Sequence, residues 1–325
     1  MSARGVRIGT RRSQLATWQA EWVAAKLRHA HPGLEVQIVT VRTLGDRDRR
    51  TALHGMARQG VFTKEIEEAL FDGRCDVAVH SMKDLPVRFP EGLRLGAVLE
   101  REDPRDALVA RGGLTLNELP PGARLGTSSL RRRSQLLRAR PDIVVGDLRG
   151  NVPGRIRSAG VPVEPGEDAP ADSPYDATIL AVAGLGRLGW ARVVSEILPT
   201  DVMLPAPAQG AIAIELRAGD EELLDLLGPL NHAPTARAVT AEREFLEALG
   251  GWCHVPVGAL AEIVDARGNI HLKGFVGDPD GGEVVEDQIR AADPGEAGRA
   301  LAARLEERGA REILTRVLAD SGEQP

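Results

Sequence analysis

Lysine is nearly missing from this chain of 325 residues: of 41 basic side chains only Lys26, Lys64, Lys83 and Lys273 are lysine, and 37 are arginine. Cysteine is as scarce. Two thiols, Cys75 and Cys253, cannot make a disulfide framework or a four-cysteine zinc site. Aromatic residues number ten (five Phe, four Trp, one Tyr), too few for a nucleic-acid surface built on base stacking. Nowhere does the chain approach the run of roughly 18 apolar residues that reads as a membrane-spanning helix. Met1–Thr10 has no apolar segment followed by a small-residue cleavage site, so no secretory leader is expected and the cytosol is the expected compartment.

What is present is a core-forming chain, 42% apolar and 27% charged. At roughly 100–200 residues per domain, its length implies two or three domains. The formal net charge is -6, but the arginines are unevenly placed. Residues 124–157 hold nine Arg, no Lys and two Asp, so this span carries +7 and the remainder -13. Most of the arginine excess reads as compositional background. One strongly basic segment in an acidic protein points to a local anion site rather than to general polyanion binding.

Val6–Thr10 reads as a strand, after which Ser13 can cap a helix with Leu15, Trp18, Trp22, Val23 and Leu27 as its apolar stripe. Pro32-Gly33 ends that helix, and Leu34–Val41 alternates like a strand. Residues 44–60 read as a mobile surface loop, Val61–Leu70 as a helix, and Asp76–His80 as a buried strand. Near residue 105 a second unit begins. Arg124–Thr127 is again a strand, Ser128 or Ser129 can again cap a helix, and Tyr175-Asp176-Ala177 leads another strand. Ile8-Gly9-Thr10…Asp76 and Leu125-Gly126-Thr127…Asp176 therefore look like two copies of one plan. Val161–Pro174 is Pro-rich and acidic and reads as a surface insertion or partly disordered loop. From about Glu221 the pattern changes. A helix over Thr235–Leu249 precedes strand-like runs at Val257–Ile263, Ile270–Val276 and Glu283–Ile289 and a helical tail from Gly295, which together predict an α+β domain with a small antiparallel sheet.

Chemistry concentrates where strands run into helices. Helix N-termini bind anions through unpaired N–H groups, and here Arg11 and Arg12 stand at one junction and Arg131, Arg132 and Arg133 at the other. Their planar forks suit carboxylates, and Arg149 and Arg155 lie close by in sequence. Successive helix positions diverge, so all three of the adjacent arginines cannot reach one group. His80-Ser-Met-Lys-Asp84 ends a strand, where Asp84 could stabilise positive charge or shuttle a proton and Lys83 could pair with a carboxylate; a surface Lys–Asp pair is the plainer alternative. Cys75 reads as a half-buried structural residue. Cys253, in a glycine-rich loop beside His254, is either inert or a nucleophile.

Taken together, these motifs resemble the porphobilinogen deaminase family along essentially the whole chain. The resemblance rests on Gly9-Thr-Arg-Arg-Ser13 with Trp18-Gln19, Phe62-Thr-Lys-Glu65, His80-Ser-Met-Lys-Asp-Leu-Pro86 and Gly126-Thr-Ser-Ser-Leu-Arg-Arg132. It continues through Leu148-Arg-Gly-Asn151, Ile179-Leu-Ala-Val-Ala-Gly-Leu185, Gln209-Gly210, and Cys253 followed by Val255-Pro256. It implies two α/β domains similar to type II periplasmic binding proteins, residues 1–99 with 200–218 and residues 100–199. A smaller α+β domain, residues 219–325, is implied to carry the cofactor cysteine.

The function implied by the resemblance is a transferase that joins four porphobilinogen molecules head to tail, losing ammonia at each step, to give hydroxymethylbilane. A dipyrromethane cofactor, held by a thioether to Cys253, would prime the chain. Asp84 would be catalytic, holding pyrrole N–H groups and countering cationic charge. Lys83, Ser129, Arg131 and Arg132, with Asp84, would hold the cofactor, and Arg11, Ser13, Gln19, Arg149 and Arg155 the substrate. Neither metal, nucleic acid nor membrane is implied, and the family suggests a monomer with an Arg-lined cleft between hinged domains. The chain departs from the family at Gln14, where proline is usual, in Thr51–Gly60, which lacks the usual lysines and offers Arg58, and at Trp252 and His254 around the cysteine. A different class, a non-catalytic anion-binding module of the periplasmic-binding type, is disfavoured by Asp84 and Cys253 standing at their family positions.

Overall fold

Two five-stranded sheets of the same order organise most of the chain. They are seen in a computed structural model that describes residues 5–42, 63–250 and 255–321. The chain divides into two compact units, residues 1–102 with 211–240 and residues 103–210 with 241–325.

In the first unit β1 (Val6–Arg11), β2 (Val36–Val41), β3 (Val77–Ser81), β4 (Leu93–Val98) and β10 (Ile212–Arg217) form a sheet of order β2-β1-β3-β10-β4. Strands β1, β2 and β3 are parallel, and β10 runs antiparallel between β3 and β4. One face buries Ile8, Val77 and Val79 against Val23, Ala24 and Leu27 of α1 (Gln14–Ala30). The other packs Cys75 and Ala78 against Ile66, Ala69 and Leu70 of α2 (Lys64–Phe71). Alternate residues of a strand point to opposite faces, which is why this short sheet needs a helix on each side.

The second unit repeats the scheme with β5 (Asp106–Ala110), β6 (Arg124–Gly126), β7 (Val144–Gly146), β8 (Ala177–Ala181) and β9 (Glu196–Ile197), in the order β7-β6-β8-β5-β9. Strands β6, β7 and β8 are parallel, and β5 is antiparallel to β8 and β9. The correspondence extends to single bonds. Arg7 N donates to Asp76 Oδ2 at 2.9 Å and Arg124 N to Asp176 Oδ2 at 2.8 Å, and each aspartate's own N–H returns a bond to that arginine's carbonyl oxygen. A Cβ at Gly9 would stand 2.7 Å from Cys75 Sγ, and one at Gly126 would stand 2.6 Å from Leu148. Both copies need glycine at the same step, where another side chain crosses the strand. The duplicated plan read from the sequence is thus present strand for strand.

The second unit also holds an antiparallel sheet of β11 (Val257–Ile263), β12 (Ile270–Gly277) and β13 (Val284–Ala291). Strands β12 and β13 pack against α8 (Pro294–Glu306), and α9 (Ala310–Ser321) follows. Phe275, Leu272, Leu301 and Leu305 are buried here with Phe245. Five further α-helices lie among the described residues: α3 (Leu130–Ala139), α4 (Val152–Ser158), α5 (Val182–Arg187), α6 (Glu221–Leu227) and α7 (Ala233–Ala248).

Several details differ from the sequence reading. The inward face of α1 is set by small residues, Ala20 and Ala24, beside Val23 and Leu27, and Trp22 is exposed. Trp22 instead stacks on Trp18 at a centroid distance of 5.5 Å, with the Lys26 ammonium over its ring. Cys75 is fully buried rather than half-buried, and burial pushes its thiol up to about 11. Residues 161–174 form an anchored loop: Glu167 accepts from the backbone N–H groups of Val163 and Glu164 and pairs with Arg157 at 2.7 Å. The expected loop at 44–60, with Arg58, lies outside the described residues, as do Phe62, Trp252, Cys253 and His254.

Candidate functional site

In an open sheet, ligands gather beyond the carboxyl ends of the strands, where neighbouring connections leave in opposite directions. That place lies beyond β1 and β3 in the first unit and beyond β6 and β8 in the second.

Beyond β1, Ser13 caps α1, its hydroxyl accepting from Ala16 N at 3.2 Å. This leaves α1 with its positive end directed at the junction that carries Arg11 and Arg12. Beyond β3 comes a single turn, Met82–Asp84, in which Met82 is buried as an anchor and Asp84 is exposed. A cavity of about 70 Å³ joins the two strand ends and is lined by Arg11, Ser13, Gln19, His80, Ser81 and Asp84, among others. Four residues singled out from sequence, Arg11, Ser13, Gln19 and Asp84, therefore meet around one space. Gln19 Nε2 donates to Ser81 Oγ at 2.8 Å and so ties α1 to the start of the segment bearing Lys83 and Asp84.

Beneath this cavity is a group that the sequence reading missed. His80 Nε2 lies 3.1 Å from Glu215 Oε2, and both side chains are buried. Glu67 is buried as well; desolvation, with help from the Glu215 charge, holds its carboxyl above the usual range, against a hydrogen bond with Thr63. Glu67 and Glu215 come from distant parts of the chain, so only the assembled sheet brings them to His80.

In the second unit Ser129 caps α3, accepting from Arg132 N at 3.4 Å. Ser128 Oγ donates to Leu148 O at 3.1 Å and so joins this junction to the loop carrying Arg149. Asn151 caps α4, and Arg155 on that helix turns back to donate to Gly150 O at 2.8 Å. Arg149 is half-buried. Ser129, Arg149 and Arg155 thus stand on neighbouring connections at the carboxyl ends of β6 and β7.

Arg131 and Arg132 lie inside the unit rather than at its surface. Their side chains are only 4% and 7% exposed, and both pair with the fully buried Asp106, at 2.8 and 2.7 Å. Each also donates to a carbonyl oxygen, Arg131 to Leu204 at 2.7 Å and Arg132 to Ile179 at 2.8 Å. Gln209 Nε2 donates to Asp106 Oδ1 at 2.9 Å. Desolvation loosens the Arg131 proton while Asp106 tightens it, and a guanidinium in such company stays charged. Arg133 lies apart, donating to Val145 O at 3.0 Å. Asp106 was also absent from the sequence reading. Its available signal was an aspartate opening the buried strand Ala107–Ala110, since a buried carboxylate must find a cationic partner.

The chain is accordingly a duplicated α/β protein with arginines at the strand-to-helix junction of each sheet and an exposed carboxylate beside the first. Comparison with known proteins makes this specific. A family model described as "Porphobilinogen deaminase, dipyromethane cofactor binding domain" matches residues 6–225, and "Porphobilinogen deaminase, C-terminal domain" matches residues 236–307. The porphobilinogen deaminase of Moorella thermoacetica is 48% identical over 319 residues, 98% of each chain. That of Geobacter metallireducens is 46% identical over 319 residues, 98% of this chain and 96% of the relative. The chain belongs to the porphobilinogen deaminase family. Among solved structures, the ligand-binding component of an ABC-type import system from Staphylococcus aureus is 16% identical with a TM-score of 0.37, covering 76% of this chain and 75% of that one. That likeness is too distant to add to the sheet orders themselves.

Proposed function

We propose that the chain is a transferase that joins four porphobilinogen molecules head to tail, releasing one ammonia per step, to give the linear tetrapyrrole hydroxymethylbilane. The observation that carries this reading is the meeting of Arg11, Ser13, Gln19 and Asp84 around one cavity in a chain of this family.

The physical chemistry of the residues fits the task. Porphobilinogen brings two carboxylates, which Arg11 and the N-terminus of α1 can neutralise. Ser13 adds a hydroxyl donor there. Asp84 lies across the cavity, where positive charge grows on the substrate as ammonia departs, and a fixed carboxylate stabilises that charge in place of water. Gln19 holds Ser81 and so limits how far the Asp84 turn can shift.

The second unit's donors suit the carboxylate side chains of a dipyrromethane: Ser129, Arg149 and Arg155 stand on neighbouring connections, and the Arg131–Arg132–Asp106 group keeps one positive charge. Arg132 Nε is buried with no partner among the described residues, which is the kind of donor an anionic ligand satisfies. When bound through Cys253, the cofactor supplies the electron-rich pyrrole carbon that begins the chain. On this reading the protein works as a monomer in the cytoplasm; no helix of the described residues is long and apolar enough to cross a membrane.

Turnover of porphobilinogen by the purified chain tests the proposal, with Asp84→Asn as the control. The variant should keep its fold and lose at least about 100-fold in rate, the scale of one removed electrostatic stabiliser. Undiminished turnover would remove Asp84 from the chemistry.

A further inference from the structure

The reaction needs anions bound firmly enough to be held, yet the most deeply placed arginines already face a carboxylate of the protein. Asp106 is fully buried and sits between the forks of Arg131 and Arg132, at 2.8 and 2.7 Å. A carbonyl oxygen takes a second donor from each guanidinium, and Gln209 fixes Asp106 by a bond of 2.9 Å. Two guanidinium groups carry ten N–H donors, and these contacts engage only part of them. Arg132 Nε has no partner among the described residues.

Three unit charges cannot cancel: two cations face one anion, which leaves one positive charge over, and a buried donor, Arg132 Nε, is left over with it. Buried charge is tolerated when paired, so the unbalanced cation is the feature that calls for an anionic ligand.

We propose that Asp106 is a positioning residue for this pair. It fixes the direction of both forks and cancels one of their two charges, so that the pair offers a single net positive charge to one carboxylate of the cofactor. The inference rests on the reading that Arg131 and Arg132 hold the dipyrromethane. Asp106 touches neither cofactor nor substrate and acts through the arginines. Without it, two unpaired guanidinium groups would repel one another and lose their common orientation. With it, the site is shaped before the ligand arrives, which lowers the ordering cost of binding.

The test is Asp106→Asn, purified beside the wild type and followed by intact mass, thermal melting and steady-state kinetics with porphobilinogen. Asparagine keeps the size but offers an acceptor to only one fork and no negative charge. The expected result is a several-fold fall in the fraction of molecules carrying added mass. Incubation of the folded, unloaded variant with porphobilinogen should restore the added mass about tenfold more slowly than in wild type, as for loss of one charge-assisted contact. A merely structural role lowers the melting temperature but leaves the loading of the folded molecules unchanged, and that result would overturn the proposal. Where Asp106→Asn does not fold, Gln209→Leu carries the test, since it keeps all three charges and removes one restraint on Asp106. The loading rate should then fall about two- to threefold, and wild-type loading would overturn the proposal. Wild-type protein with neither added mass nor turnover would sink the functional reading itself, and this inference with it.

Discussion

Gln19 and Ser81 exchange hydrogen bonds across the first unit's cavity, Gln19 Nε2 donating to Ser81 Oγ at 2.8 Å and Ser81 Oγ facing Gln19 Oε1 at 3.3 Å. Gln19 is 2% exposed, an unusual burial for an amide on the face of a helix, and the bond explains it. It couples the helix that begins beside Arg11 and Arg12 to the strand that ends at Ser81 and leads into the Asp84 turn. Gln19→Leu and Ser81→Ala should each cost about 1 kcal/mol of stability and lower kcat/KM. A double-mutant cycle on melting and turnover should give a coupling of about 0.5–1.5 kcal/mol. Additive effects would show that the two residues act separately.

Arg132→Lys keeps the charge and loses the fork. An ammonium cannot reach Asp106 and Ile179 O together in the arrangement that the guanidinium holds at 2.7 and 2.8 Å. The variant should melt at lower temperature and carry less cofactor than wild type when both are examined by intact mass. Full loading would mean that the site needs only a positive charge.

The two thiols should behave oppositely. Cys75 is buried and its thiol is pushed up to about 11, so little thiolate exists at neutral pH and the native chain should not react there with a disulfide reagent. If Cys253 is held in a thioether, the unfolded holoprotein should titrate one thiol, not two. Two thiols after unfolding would count against the covalent linkage.

Glu167 anchors the 161–174 loop, and its carboxyl is lowered to about 2 by the Arg157 hydrogen bond first and then by the Glu164 and Val163 N–H groups. A depressed carboxylate stabilises at pH above its ordinary value, and here the contribution is lost as pH falls from 4.5 through about 2. Protection of the amides of residues 161–174, relative to their free-peptide exchange rates, should fall over that window, and Glu167→Gln should show the low protection already at neutral pH. A loop whose protection does not respond to either change would have another anchor.

Ala208 holds φ at 62°, a left-handed conformation that costs a residue with a side chain about 1–2 kcal/mol. Its N–H donates to the buried Glu242 at 2.6 Å, which holds it there. Ala208→Gly should therefore raise the melting temperature by about 2 °C, net of the extra freedom that glycine gains on unfolding. A lower melting temperature would show that the methyl group's packing outweighs the strain.

The parts of the molecule written in local pattern were legible beforehand. Gly-Thr followed by a capping serine marks both strand-to-helix junctions, and Asp76 and Asp176 mark the strands that pair back onto them, because these features depend on a few adjacent residues. Partnerships made across the sheet were not. Nothing near His80 announces Glu215, which arrives on β10 more than a hundred positions later, and nothing near Arg131 announces Asp106. For the same reason nothing in the arginine triplet shows that Arg131 and Arg132 are buried. On α1 the spacing of large residues points to Trp22, whereas close approach to the sheet selects Ala20 and Ala24.

The most direct measurement is the intact mass of the purified chain beside that of Cys253→Ser, before and after incubation with porphobilinogen. The wild-type chain should have a mass above that of the bare polypeptide and gain further discrete increments on incubation, and the variant should show neither. A wild-type chain at its bare mass under both conditions would contradict the proposed function.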